Sequence, residues 1–149
     1  MDRKRERDDL MKQIKFRAWD GSGKYVAGDD GLIYSTDYNH TGQTKALKIC
    51  LDKDGYPTVL LNINKQRLYR TSHKLVALAF FGVKPTSKHQ VNHKNGKRDD
   101  NRPENLEYVT PKENALHGWR VNGRKPSIKQ IENGKRLAKE TNKKRWNYE

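Results

Sequence analysis

His93, Asn105 and Asn114 lie in one stretch, VNHKNGKRDDNRPENLEYVTPKENALHGW, running from residue 91 to residue 119. Their order and spacing suit one chemistry, the metal-assisted cleavage of a phosphodiester. None of the three says this alone. A single histidine is more often a surface or satisfied group, an asparagine in a loop readily caps nearby backbone, and Asn95-Gly96 is a turn wherever it occurs. The constellation carries the reading.

The elements that must position these residues can be read around them. Gln90-Val91-Asn92 is short and semi-apolar and runs into Asn95-Gly96, a dipeptide suited to a tight hairpin because both residues tolerate positive φ. His93 therefore sits where a strand leaves its sheet. A polar loop, Lys97 to Glu104, leads to Leu106-Glu107-Tyr108-Val109, which alternates as a half-buried strand should. Thr110 is placed to cap a helix, with Pro111 at its first position and Glu113 closing a capping box. Asn114 follows in the first turn or just beyond it. The order is strand, loop, strand, helix.

With their flanking strings, these residues resemble the ββα-metal motif of HNH nucleases, in particular the branch found in phage-encoded homing endonucleases. The resemblance runs from about Gly55 to His117. It takes in Gly55-Tyr56-Pro57-Thr58-Val59-Leu60-Leu61, then His73-Lys74-Leu75-Val76-Ala77-Leu78-Ala79-Phe80, then the Asn-His, Asn-Gly, Asn-Leu-Glu, Val-Thr-Pro and Glu-Asn strings of the core segment. It implies that His93 is the general base, taking a proton from the attacking water, a task for which imidazole is suited near neutral pH. It implies that the Asn105 side-chain carbonyl holds the other ring nitrogen of His93. Asn92 and Asn114 would be the two protein ligands of one divalent cation, Mg²⁺ or Mn²⁺ rather than zinc because the ligand atoms are oxygens.

Two departures from the pattern matter. Family members often carry Asp where this chain has Asn92, so with Asn114 the ligand set brings no formal charge and should bind its cation weakly until DNA phosphate completes the site. The strict pattern also ends in His where this chain has Asn114. His117, three residues on, is a spare ligand or phosphate contact.

Upstream, the chain reads as mostly β. Gly31 to Ser35, Ala46 to Leu51, Tyr56 to Ile63 and Arg67 to Thr71 are strand candidates separated by turns, making one small antiparallel sheet. That sheet resembles the N-terminal modules that accompany phage HNH nucleases and contact DNA; the plainer reading is a sheet that only supports the motif. Leu75, Val76, Leu78, Ala79 and Phe80 form an apolar helical turn beneath the motif, with His73 as a helix-start or packing residue. The predicted organisation is α+β: a charged segment 1–13, a β-rich module 14–71, the ββα-metal nuclease domain 72–119 and a basic helical extension 120–149.

Composition points to a nucleic-acid partner. The 149 residues carry a net charge of +14, so a phosphate backbone is the natural counter-surface. Within and just after the motif, Lys94, Lys97, Arg98, Arg120 and Arg124 are candidate DNA contacts. In the extension, Lys125, Lys129, Lys135, Arg136, Lys139, Lys143, Lys144 and Arg145 are the candidates, on a helix too poor in apolar positions to bury much of a face. A mean hydropathy of −1.17 agrees with small cores. The single cysteine, Cys50, excludes an internal disulfide and any Cys₄ or Cys₂His₂ zinc site, and suits a reducing cytoplasm, as in a bacterial host cell for a phage-encoded protein. No apolar run approaches the roughly 20 residues of a membrane span, and Met1 to Asp9 is mixed in charge, unlike a signal peptide. The expected activity is cleavage of double-stranded DNA by a monomer or homodimer, as a nickase or a double-strand cutter: one motif cuts one strand per engagement, and a double-strand break needs a dimer or two visits. The alternatives are a DNA-binding protein that keeps the fold without activity, and a basic structural or RNA-binding protein.

Overall fold

The computed structural model describes residues 2–123, 125, 127–129, 131–133 and 135–136, and the chain divides into two compact units, Met1–Asn114 and Ala115–Glu149. The first unit opens with α1 (Arg3–Gln13). Asp2 caps this helix by accepting from the Lys4 amide at 3.1 Å, and none of its residues is buried.

Two antiparallel sheets follow where one was expected. The first orders β1 (Phe16–Arg17), β2 (Tyr25–Gly28), β3 (Ile33–Ser35) and β4 (Lys45–Ala46); the second orders β5 (Ile49–Leu51), β6 (Pro57–Ile63) and β7 (Gln66–Thr71). The strand expected over Ala46 to Leu51 is shared between them. Ala46 pairs with Tyr34 and Ile49 with Val59, so the chain crosses from one sheet to the other at Leu47-Lys48. β1 and β2 are too short or too poor in alternation to announce themselves in sequence. The β6–β7 hairpin turns on Asn64 and Lys65, both at positive φ (51° and 62°), the conformation a tight two-residue turn demands.

A single core joins these sheets to the rest of the unit. α2 (Ser72–Phe81) lays Leu75 and Val76 against Tyr25, Ala27 and Ile33 of the first sheet and Val59 and Leu61 of the second, and Leu106 of β9 (Leu106–Val109) closes the cluster. Each leucine, isoleucine or valine of this cluster, fully buried, contributes about 1.5–3 kcal/mol. The boundary expected between residues 71 and 72 is therefore not a packing boundary, because the same side chains hold the sheets and the motif. Tyr25 strengthens the join: its hydroxyl accepts from the Asn62 amide at 2.9 Å. β8 (Gln90–His93) pairs antiparallel with β9, and α3 (Pro111–Asn122) follows. The architecture is α+β, as the sequence predicts.

In the second unit, residues 128–129, 131–133 and 135–136 are helical, and the Ile131 amide donates to the Ser127 carbonyl at 3.0 Å. Lys125, Lys129, Lys135 and Arg136 are exposed there. Arg124, Lys139, Lys143, Lys144 and Arg145, also expected to contact DNA, lie outside the described residues.

Candidate active site

Register decides which side chains meet. β8 and β9 pair Gln90 with Val109, Val91 with Tyr108, Asn92 with Glu107 and His93 with Leu106. Since side chains alternate along a strand, Gln90, Asn92, Glu107 and Val109 share one face of this ribbon and Val91, His93, Leu106 and Tyr108 the other. Leu106 is in the core, so its pairing anchors His93 at the buried end of the strand.

His93 is 6% exposed, and its Nε2 lies 2.8 Å from the Asn101 Oδ1. A carbonyl oxygen only accepts, so Nε2 carries the ring proton and Nδ1 the lone pair. This corrects the expectation that Asn105 holds the ring. Asn105 spends its amide on the loop instead: its Oδ1 accepts from the Asn95 amide at 3.0 Å, and its Nδ2 donates to Asn95 Oδ1 at 3.0 Å and to the Asp100 carbonyl at 2.8 Å. Asn105 thus closes the loop between the two strands, and Asn101, on that loop, delivers the oxygen to His93. A turn follows His93, closed by the Gly96 amide on the His93 carbonyl at 2.9 Å, but its central residues are Lys94 and Asn95 rather than the expected Asn95-Gly96. Gly96 is its last residue and takes positive φ, at 74°.

The loop has further ties. Arg102 donates from Nε and Nη2 to the two carboxylate oxygens of Asp100 at 2.8 and 2.9 Å, and with the Asn95 side chain this holds the Asp100 carboxyl down at about 2. A Cβ built on Gly31, in the β2–β3 turn, would stand 2.6 Å from the Asn101 carbonyl carbon. Only a residue without a side chain lets that turn reach the Asn101-Arg102 backbone.

The expected ligands are each held by the nitrogen of their amide. Asn92 Nδ2 donates to Glu107 Oε1 at 2.9 Å, and Asn114 Nδ2 donates to Gln90 Oε1 at 2.6 Å. Both carbonyl oxygens are thereby left for another partner. Two amide oxygens with a carboxylate beside one of them fit a hard, oxygen-preferring divalent cation. Among the described residues no group of three or more His, Cys, Asp or Glu side chains could hold a metal. The capping box forms as expected, Thr110 N to Glu113 Oε2 at 2.8 Å and Glu113 N to Thr110 Oγ1 at 3.3 Å, and sets the start of the helix that carries Asn114. His117 falls in the second unit, three residues farther along the same helix.

His73 packs as expected of a buried residue but has an unexpected neighbour. Its ring centroid is 5.2 Å from that of His93, edge-on, and 5.1 Å from that of Tyr56. Burial first, then the proximity of His93 and Lys74, push its pKa down to about 3, so the ring is neutral. Its Nδ1, like Thr71 Oγ1 and Ser72 Oγ, has no hydrogen-bond partner. A cleft of about 710 Å³ opens beside it, lined among others by Thr71, His73, Lys74, Gln90, Tyr108 and Asn114.

Of the basic residues expected on DNA, Arg98 is engaged within the protein: its guanidinium lies 4.7 Å from the Tyr56 ring centre and donates to the Asp54 carbonyl. Lys94 and Lys97 are exposed on the motif's loop and Arg120 on α3, with Lys94 Nζ donating to the Glu104 carbonyl at 3.2 Å. The reading by residue type overlooked Asn101, Glu107, Gln90 and Gly31. Glu107 was within reach, since counting back from a His93–Leu106 pair places it opposite Asn92.

The HNH endonuclease family model matches residues 70–116. Two HNH endonucleases of Acanthamoeba polyphaga mimivirus, both named as uncharacterized, are 32% identical over 98 residues and 34% identical over 116 residues. Those alignments cover 66% and 75% of this chain but 28% and 26% of the relatives; the chain spans about a quarter of their length. A solved structure of the HNH homing endonuclease I-HmuI, described for its binding and cleavage of DNA, aligns with a TM-score of 0.63 and 27% identity, covering 86% of this chain and 68% of that one.

Proposed function

From the premise that this chain belongs to the HNH endonuclease family, we propose that it is a metal-dependent DNA endonuclease of the homing type. The observation that carries the proposal is the bond between His93 Nε2 and Asn101. A base must present an unprotonated nitrogen in a fixed direction, and this bond fixes the ring and leaves Nδ1 for the proton of the attacking water. Asn105 supports the same geometry indirectly, through the loop. Asn92 and Asn114 are the residues that would hold one Mg²⁺ or Mn²⁺ ion by their carbonyl oxygens. Such a cation offsets the negative charge that develops on a phosphodiester and its leaving 3′ oxygen.

The substrate is double-stranded DNA, drawn to a chain of net charge +14. Lys94, Lys97 and Arg120 are phosphate contacts in this reading, together with the basic residues of the second unit, and His117 is an additional phosphate contact or ligand. One motif cuts one strand per engagement, so a monomer is a nickase and a double-strand break needs a homodimer or two visits. Among the described residues no helix is long and apolar enough to cross a membrane. In this reading the site of action is where the DNA lies, the cytoplasm of a host cell.

Plasmid cleavage tests this. Supercoiled DNA should relax or linearise only when Mg²⁺ or Mn²⁺ is added, and His93→Ala should cut about 10²–10⁴-fold more slowly while binding the duplex as before. Duplex binding without cleavage under any divalent cation would make the protein a DNA-binding relative that keeps the fold alone. Preference for structured RNA in competition would remove DNA as the substrate.

A further inference from the structure

The two amide ligands proposed for the cation carry no formal charge, yet a carboxylate stands directly behind one of them. Asn92 and Glu107 face each other across the β8–β9 ladder, and Asn92 Nδ2 donates to Glu107 Oε1 at 2.9 Å. Asn92 is 5% exposed, so its amide has little water to turn toward. A primary amide can present either its oxygen or its nitrogen to a given point, and only the oxygen ligates a cation. A carboxylate on the nitrogen settles the choice, because it cannot donate. Gln90, on the same face two residues earlier, does the same for Asn114 through its own carbonyl oxygen, without charge.

We infer that Glu107 is the positioning and charge-supplying residue of the cation site: it locks Asn92 with its carbonyl oxygen free and provides the negative charge that the ligand pair lacks. This rests on the endonuclease reading for the identity of Asn92 and Asn114 as ligands. Outer-shell partners of metal ligands set ligand orientation and local charge, and their loss weakens metal binding by about 10–100-fold. Glu107 does both tasks through one hydrogen bond. The arrangement also offers a reason why asparagine is tolerated at position 92: an aspartate there would meet Glu107 as a second carboxylate, whereas an amide hydrogen-bonds it.

The test is Mn²⁺ binding by the full-length protein, followed by electron paramagnetic resonance, alone and with a duplex in a His93→Ala background that slows turnover. Glu107→Gln keeps an acceptor of the same length and removes the charge; Glu107→Ala removes both. We expect Glu107→Gln to weaken Mn²⁺ binding about tenfold and Glu107→Ala about 10–100-fold, with duplex affinity in the absence of metal unchanged in both. Thermal midpoints accompany each measurement, and Glu107→Gln carries the decision if Glu107→Ala does not fold. Mn²⁺ affinity equal to that of the parent protein in Glu107→Gln overturns the inference, as does a parent that binds no Mn²⁺ at all. Mn²⁺ binding that depends on Glu107 in a protein that cuts no DNA upholds the inference while the endonuclease reading fails.

Discussion

Asn101 and Asn105 are four residues apart in one polar loop, and only the fold separates their tasks. Both are buried, at 4% and 7% exposure, yet Asn101 faces His93 while Asn105 binds the backbone that carries Asn101. Residue type could not distinguish them, because an asparagine side chain suits a ring nitrogen and a loop amide equally well. Asn101→Ala should leave the Nε2–H of His93 buried without an acceptor, a loss of about 1–3 kcal/mol, and should slow cleavage by at least tenfold without changing duplex affinity. Asn101→Asp restores an acceptor and should recover most of the rate. An Asn101→Ala enzyme with the parent's rate would show that the ring needs no anchor. Asn92 gives a second prediction at this scale. Asn92→Asp puts a carboxylate against Glu107, so the metal-free protein should melt at lower temperature than the parent, and millimolar Mg²⁺ should restore more stability to the variant than to the parent. Calorimetric scans with and without Mg²⁺ check this; identical melting in the absence of metal would mean the two carboxyls do not meet.

At the scale of elements, the capping box of α3 was legible in sequence because it rests on local chemistry, a cap three residues from its partner. β8 and β9 form where expected, but Leu106 and Val109, on opposite faces, are both buried, so β9 is not the half-buried strand its sequence suggested. The approach of the β2–β3 turn to the loop that carries Asn101 was not legible, because it joins residues 70 positions apart. Gly31 makes that approach possible, at φ +83° and with no room for a Cβ. Gly31→Ala should therefore strain its own turn and push on the backbone that carries Asn101. We expect a lower melting temperature and a fall in kcat, with duplex affinity retained; a variant that loses stability but keeps its kcat would separate the turn from the base. The start of α2 is also informative. His73 titrates near 6.5 when unfolded and is pushed down to about 3 in the fold, so between those values the unfolded chain holds a proton that the folded one refuses. The stability that follows is fully present above pH 6.5 and is lost as pH falls toward 3, at about 1.4 kcal/mol per unit. Protonation would leave a buried Nδ1–H with no acceptor, which adds to the cost. Urea unfolding from pH 7 to pH 4 should show this slope in the parent and a shallower one in His73→Phe, which keeps the ring. Equal slopes would mean that His73 accepts its proton without unfolding.

For the molecule as a whole, charge was the most legible property and its placement the least. A net charge of +14 announces an anionic partner, but Arg98, counted with the DNA contacts by its position in the motif, stacks on Tyr56 and binds a carbonyl of its own chain. Basic residues of the second unit differ: Lys125, Lys129, Lys135 and Arg136 are exposed, on or beside helical turns. If those four lie on phosphates, each releases counterions on binding, and the slope of log K against log salt carries about 0.9 for each neutralised phosphate. Replacing the four by alanine in the full-length chain should make that slope shallower by roughly three to four, with affinity reduced most at low salt. His93 and its partners are untouched, so cleavage at saturating protein should be retained. The measurement is a salt titration of duplex binding for the two proteins, with the divalent cation omitted so that no strand is cut. Parallel slopes and equal affinities would mean that these side chains are solvated in the complex. The phosphate contacts would then have to come from the first unit, where Lys94, Lys97 and the exposed arginines of β7, Arg67 and Arg70, are the next to replace.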